Sequence, residues 1–219
     1  MITRIIIARH GNTFTKDQTP LRVGARTDLP LVETERGTNI GKYLKMRSLI
    51  PSVVFAAPLK RTTETARLAV AALDKDIPLK SDDRFVEVDY GPDEAKTEDE
   101  VIARIGQDAL EAWDKNAIVP NGWNVSVDGI IDAWKGFAKE VEENYKGKTV
   151  MVVSSNGIIR FAPYLTGDFK QFAEDFNIKV STGGVCILEK EEGDANWTVV
   201  EWGVKPKDKL ANSSLLSVG

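Results

Sequence analysis

The 219-residue chain has one histidine and one cysteine. A single histidine excludes any mechanism or metal centre that draws two imidazoles from one chain, and with it the usual zinc hydrolase arrangements. A single cysteine excludes an intrachain disulfide, which points to a reducing compartment. That residue sits in the apolar run Val185-Cys186-Ile187-Leu188, where a small buried hydrophobe is a simpler reading than a nucleophile. No apolar stretch reaches membrane-spanning length. The apolar part of Met1–Ile7 is too short for a signal peptide. The expectation is a cytoplasmic protein with no membrane partner. The net charge of −4 argues against a nucleic-acid surface, although a local basic pocket would be hidden in that average.

What is present alternates between two periodicities. Ile5-Ile6-Ile7-Ala8, Val53-Val54-Phe55-Ala56 and Thr149 to Val153 are short, mostly β-branched runs that read as strands buried on both faces. Gly184 to Glu189 and Trp197 to Val204 read as a further pair of strands. Helical patterns cover about Glu33 to Leu49, weakened by Gly37 and Gly41, then Lys60 to Leu73 after Pro58. Glu98 to Ile105 and Ala109 to Lys115 look like short helices. Val127 to Tyr145 carries Ile130, Ile131, Trp134, Phe137 and Val141 at helical spacing, which reads as core packing. Ile158 to Leu165 is expected to be helical, with Pro163 as a complication. Strands alternating with helices indicate one layered α/β domain over residues 1–204, followed by a loose polar tail over 205–219.

Arg9-His10-Gly11 follows the first buried strand directly, and ligand sites in open α/β sheets collect beyond strand carboxyl ends. An imidazole can attack phosphorus when one ring nitrogen is unprotonated and the other is held by a hydrogen bond. Arg9 offers a planar fork for phosphate oxygens, and Gly11 lets backbone approach a ligand. Arg61 opens the helix after the second strand, where a helix start favours anions.

In order and spacing these segments resemble the histidine phosphatase superfamily, which includes cofactor-dependent phosphoglycerate mutase and many small phosphatases. Arg9-His10-Gly11-Asn12-Thr13 is similar to its Arg-His-Gly-x-Thr motif. Gly24-Ala25-Arg26-Thr27-Asp28-Leu29-Pro30-Leu31 with Gly37 resembles its Gly-x-x-Asp-x-Pro-Leu segment. Ala57-Pro58-Leu59-Lys60-Arg61 with Thr65-Ala66 resembles its Ser-Pro-Leu-x-Arg helix, and Phe85 to Gly91 its acidic segment. The resemblance implies a three-layer α/β sandwich with a mostly parallel central sheet flanked by helices. It implies a nucleophilic His10, phosphate clamping by Arg9 and Arg61, and Glu87 as general acid, with Glu94 as the alternative. Asn12 would add amide donors. Of the spare cations Arg22, Arg26 and Arg160, Arg26 is the expected substrate contact, together with Thr13.

The family's second histidine belongs in the segment Ser154-Ser155-Asn156-Gly157-Ile158-Ile159-Arg160, where Ser155 stands in its place and Asn156 replaces a glycine. Ser155 and Asn156 can donate to a phosphoryl group, but without charge. A charged hydrogen bond contributes about 1.5–3 kcal/mol against about 0.5–1.5 for a neutral one. The shortfall would slow chemistry on the order of tenfold. The expectation is a phosphomonoester hydrolase working through phosphohistidine on a small phosphorylated metabolite, without metal or cofactor. The first rival is a non-catalytic phosphate- or phospholigand-binding protein, and the second is a phosphoglycerate mutase. The oligomeric state is left open, with a homodimer as one option.

Overall fold

The computed structural model describes residues 1–216, with side chains described through residue 213. Six strands, β1 (Ile2–Arg9), β2 (Val53–Ala56), β3 (Leu79–Ser81), β4 (Thr149–Ser154), β5 (Val185–Glu191) and β6 (Thr198–Val204), form one sheet in the order β3-β2-β4-β1-β5-β6. The β3-β2-β4-β1 half is parallel, whereas β5 runs antiparallel to β1 and β6 antiparallel to β5.

Alternation along each central strand assigns side chains to two cores. Ile5 and Ile7, Val53 and Phe55, Val150 and Val152, and Cys186 and Leu188 face one side. Ile6 and Ala8, Val54 and Ala56, Met151 and Val153, and Val185 and Ile187 face the other. Both sides are covered, so the strand sequences are continuously apolar. Each fully buried isoleucine contributes roughly 1.5–3 kcal/mol relative to exposure. On the second side pack α1 (Glu35–Met46) and α2 (Lys60–Leu73). On the first pack α3 (Glu98–Ile105), α4 (Gln107–Asn116) and α5 (Val127–Asn144), with Trp134, Phe137 and Val141 of α5 fully buried. The result is the expected three-layer α/β sandwich. Cys186 is buried, accepts a hydrogen bond from the Gly203 amide, and has its thiol pushed up to about 12 by burial.

The structure departs from the sequence reading in four places. Gly37 and Gly41 do not weaken α1. They let it approach α2, because a Cβ at position 41 would lie 2.2 Å from the Ala69 carbonyl oxygen. Residues 156–166 form not one helix but a short α6 (Asn156–Ile159) and a 3-10 turn at Ala162–Thr166, separated by Arg160 and Phe161, with Pro163 in the first turn of the second. The short edge strand β3 and α7 (Phe169–Asp175) were not anticipated. The tail is not loose: Pro206–Leu216 forms α8 on α1, with Pro206 buried and Lys207 Nζ 3.1 Å from Glu35 Oε1. Residues 217–219 lie outside the described residues. No helix among the described residues is long and apolar enough to cross a membrane.

Candidate active site

The register of β1 against β4 pairs Arg9 with Ser154, so His10 and Ser155 emerge side by side at adjacent strand ends. The His10 amide donates to the Ser154 carbonyl at 3.1 Å. Because β5 runs antiparallel to β1, the segment before it returns to the same edge. There the Gly183 amide donates to the carbonyls of Arg9 at 3.1 Å and His10 at 3.0 Å. Arg9 Nη1 donates to the Val180 carbonyl at 2.6 Å. These elements frame a cleft of about 740 Å³.

His10 lies on the cleft floor and is 6% exposed. Its Nδ1 is 2.7 Å from the Gly11 carbonyl oxygen. A carbonyl only accepts, so Nδ1 carries the proton and Nε2 keeps its lone pair. Burial, then the charges of Arg9 and Arg61, hold the imidazole well below its ordinary value of 6.5. The ring is therefore neutral at physiological pH.

Glu87 is also buried and lines the cleft. Its Oε1 accepts from the Val88 amide at 2.9 Å, and its Oε2 accepts from the Gly157 amide at 3.2 Å and the Tyr90 hydroxyl at 3.3 Å. Only glycine allows this at position 157, since a Cβ there would lie 2.2 Å from Glu87 Oε1.

Four buried polar atoms have no hydrogen-bond partner among the described residues: Nε of Arg9, Arg22 and Arg61, and Oγ of Ser155. Buried donors are normally satisfied, and each one left unmade costs about 1–3 kcal/mol. Two of these residues, Arg9 and Arg22, line the cleft, where open guanidinium donors suit anionic groups.

Asn12 lines the cleft, accepts through Oδ1 from the Thr182 hydroxyl at 2.6 Å, and is held at its amide by Glu33. Asn156 accepts from the Val180 amide at 2.8 Å. Asn156 lines the cleft as well. Thr13 also lines the cleft. Arg61 and Ser155 are fully buried and are not among the residues that line the cleft.

Three readings are corrected here. The start of α2 does not present a free amide to the cleft, because Asp28 Oδ1 accepts from the Lys60 amide at 2.7 Å. Arg61, one residue further on, donates from its terminal nitrogens to the carbonyls of Thr27 at 2.7 Å and Gly24 at 3.2 Å and keeps only Nε without a partner. Arg26 does not line the cleft: its Nε is 3.1 Å from Asp89 Oδ1 and its Nη2 is 2.6 Å from the Gly91 carbonyl oxygen. Glu94 is likewise structural, accepting from the Arg26 amide at 2.6 Å and the Thr27 hydroxyl at 2.9 Å. The other two spare arginines, Arg22 and Arg160, do line the cleft. Arg160 is buried, stacks 3.9 Å over the Trp113 ring, donates to the Trp113 carbonyl at 2.5 Å, and is held down to about 10 by burial. Its position depends on a tryptophan in another helix, a pairing invisible along the chain.

A neutral buried imidazole at the end of a central strand, sharing a cleft lining with Arg9, Arg22 and Arg160, defines a histidine-centred, arginine-lined site in a three-layer α/β fold. The family follows from comparison of the whole chain. Residues 5–205 match the Histidine phosphatase superfamily (branch 1), and the chain belongs to it. It is 27% identical over 172 residues to a 2,3-bisphosphoglycerate-dependent phosphoglycerate mutase of Bifidobacterium longum, covering 75% of this chain and 65% of that one. The chain thus spans just under two thirds of that relative's length. The fold is similar to a mycobacterial glucosyl-3-phosphoglycerate phosphatase, with a TM-score of 0.74 at 17% identity over 93% of this chain and 100% of that one. It is also similar to a putative alpha-ribazole-5'-P phosphatase of Escherichia coli, with a TM-score of 0.69 at 20% identity over 92% of this chain and 97% of that one.

Proposed function

We propose that this protein hydrolyses a small phosphate monoester through a phosphohistidine at His10, without a metal. The observation that carries the reading is the His10 tautomer: Nδ1 is held by the Gly11 carbonyl and burial keeps the ring neutral, so Nε2 is a nucleophile at neutral pH. Nε2 attacks phosphorus, the ester P–O bond breaks, and Glu87 protonates the departing oxygen. Glu87 then takes a proton from the water that attacks phosphohistidine, releasing phosphate and restoring both groups. Arg9, Asn12 and Asn156 offset charge on the transferring group from the cleft lining, the fully buried Arg61 and Ser155 do so through their unpartnered Nε and Oγ, and Thr13 borders the remainder of the substrate. The cleft volume suits a metabolite-sized ester. The phosphatases among the structural neighbours support the same reaction class.

The test is hydrolysis of an aryl phosphate in the presence of a chelator, with trapping of an acid-labile, alkali-stable phosphoprotein. Wild type is expected to turn over and His10→Ala is not. Binding of phosphate without turnover across a broad phosphoester panel would overturn hydrolysis. It would favour the second reading, a non-catalytic phosphate-binding protein, whose motivation is the uncharged Ser155 at the end of β4. Mutase activity is the third reading. It is less favoured because the middle segment places the acidic Glu98 and Asp99, rather than basic residues, on the cleft lining. Transfer of phosphate between two glycerate positions would restore it.

A further inference from the structure

We infer that Arg22 forms a second anion subsite in this cleft, so that the preferred substrate carries a carboxylate or a second phosphate besides the scissile phosphoryl group. The inference rests on the reading of His10 and Arg9 as the phosphoryl end. Among the cations on the lining, Lys179 lies 2.7 Å from Asp114, and Arg160 shares that carboxylate at 3.7 Å. Arg9 adjoins His10 and belongs to the phosphoryl end. Lys16 also lines the cleft but is exposed to solvent, whereas Arg22 has neither commitment: its Nε is buried and unpartnered, and it enters no ion pair among the described residues. The Asp93 carboxylate, whose field reaches Arg22, gives its oxygens to Arg104 and to Trp123 Nε1 at 2.6 Å.

Arg22 is also held in place. Its amide donates to the Lys96 carbonyl at 2.8 Å, and its own carbonyl accepts from the Ala95 amide at 2.8 Å. Its guanidinium sits 5.2 Å from the Tyr90 ring centre and 5.1 Å from that of Trp123. Stacking of this kind fixes the plane of the fork while leaving its edge donors for a ligand. Tyr90 also bonds Glu87, so one aromatic ring spaces the acid from the second cation. The exposed acids Glu98 and Asp99 lie farther out and favour an anion small enough to stay within the floor.

The test is calorimetric binding of non-hydrolysable ligands that differ only in the second charge. Phosphonoacetate, 3-phosphonopropionate and 4-phosphonobutyrate are compared with alkylphosphonates of equal length at one ionic strength. Wild type is expected to prefer the best-spaced phosphonocarboxylate by about tenfold or more. Arg22→Gln should bring that ratio to near one, and Arg22→Lys should retain part of it. An alkane bisphosphonate that binds tighter still assigns the subsite to a second phosphate rather than a carboxylate. No preference in wild type overturns the inference, as does a preference that survives in Arg22→Gln. If both ligand classes weaken together with the ratio intact, Arg22 is merely structural. If no phosphonate and no inorganic phosphate binds at all, the phosphoryl end itself is wrong, an outcome distinct from loss of the ratio.

Discussion

The carboxyl ends of β1 and β4 are neighbours in the sheet, yet they are equipped differently. At the end of β1 the imidazole has a defined tautomer and the next amide is tied to Thr65. At the end of β4, Ser155 is equally buried but its hydroxyl has no protein partner. One strand end thus presents a neutral imidazole with a free Nε2 lone pair, and the other an uncharged hydroxyl that the protein leaves unpaired. Under the proposed reaction, the contrast places the weak point of the centre in charge on the transferring group, not in the attack itself.

The largest effect is expected at the β1 end. His10→Ala should lower kcat by about 10⁴-fold or more in a continuous aryl phosphate assay, since no other imidazole exists to replace it. Glu87→Gln should lower kcat by roughly 10²–10⁴-fold, and least for substrates with very acidic leaving groups. A leaving-group series on the variant checks this, and a uniform loss would point to mere disruption. Gly157→Ala should fall between wild type and Glu87→Gln, because its methyl group displaces the Glu87 carboxylate. At the β4 end, Ser155→His should raise kcat about tenfold by adding a charged donor. An unchanged or lowered rate would erase the contrast between the two strand ends.

The smallest effect is on stability. The folded His10 pKa lies below its ordinary 6.5, so at higher pH the ring is neutral in both states. As pH falls below about 6.5, the unfolded chain binds a proton that the folded chain refuses. Stability then drops by about 1.4 kcal/mol per pH unit until the folded pKa is reached. Urea melts of wild type and His10→Asn between pH 7.5 and 5 check this, with the variant expected to show the shallower decline.

Much of the fold was legible because its signals are local. The isoleucine run of β1 and the α2 pattern after Pro58 needed no partner to be read. β3 was missed because it is three residues long with two exposed. α8 was missed because its composition is polar and its one firm anchor, the seat on α1, is tertiary. Within the site, His10, Asn12, Thr13, Glu87 and Asn156 were found from motif spacing, and all line the cleft. The sequence favoured Arg26 over Arg22 because it hides their environments, which are set by Asp89, Gly91, Tyr90 and Trp123, more than sixty residues away along the chain.

The turn from Val180 to Gly183 bonds Arg9, His10 and Asn12 on one side and Asn156 on the other. It acts as a clasp across the two strand ends. Reorganisation that a loose pocket would undergo during each turnover is thereby met once, during folding. The Gly183 amide, shared between two carbonyls, should then be among the slowest of the loop amides to exchange with solvent deuterium. Its protection would report on the integrity of the whole centre without any substrate present.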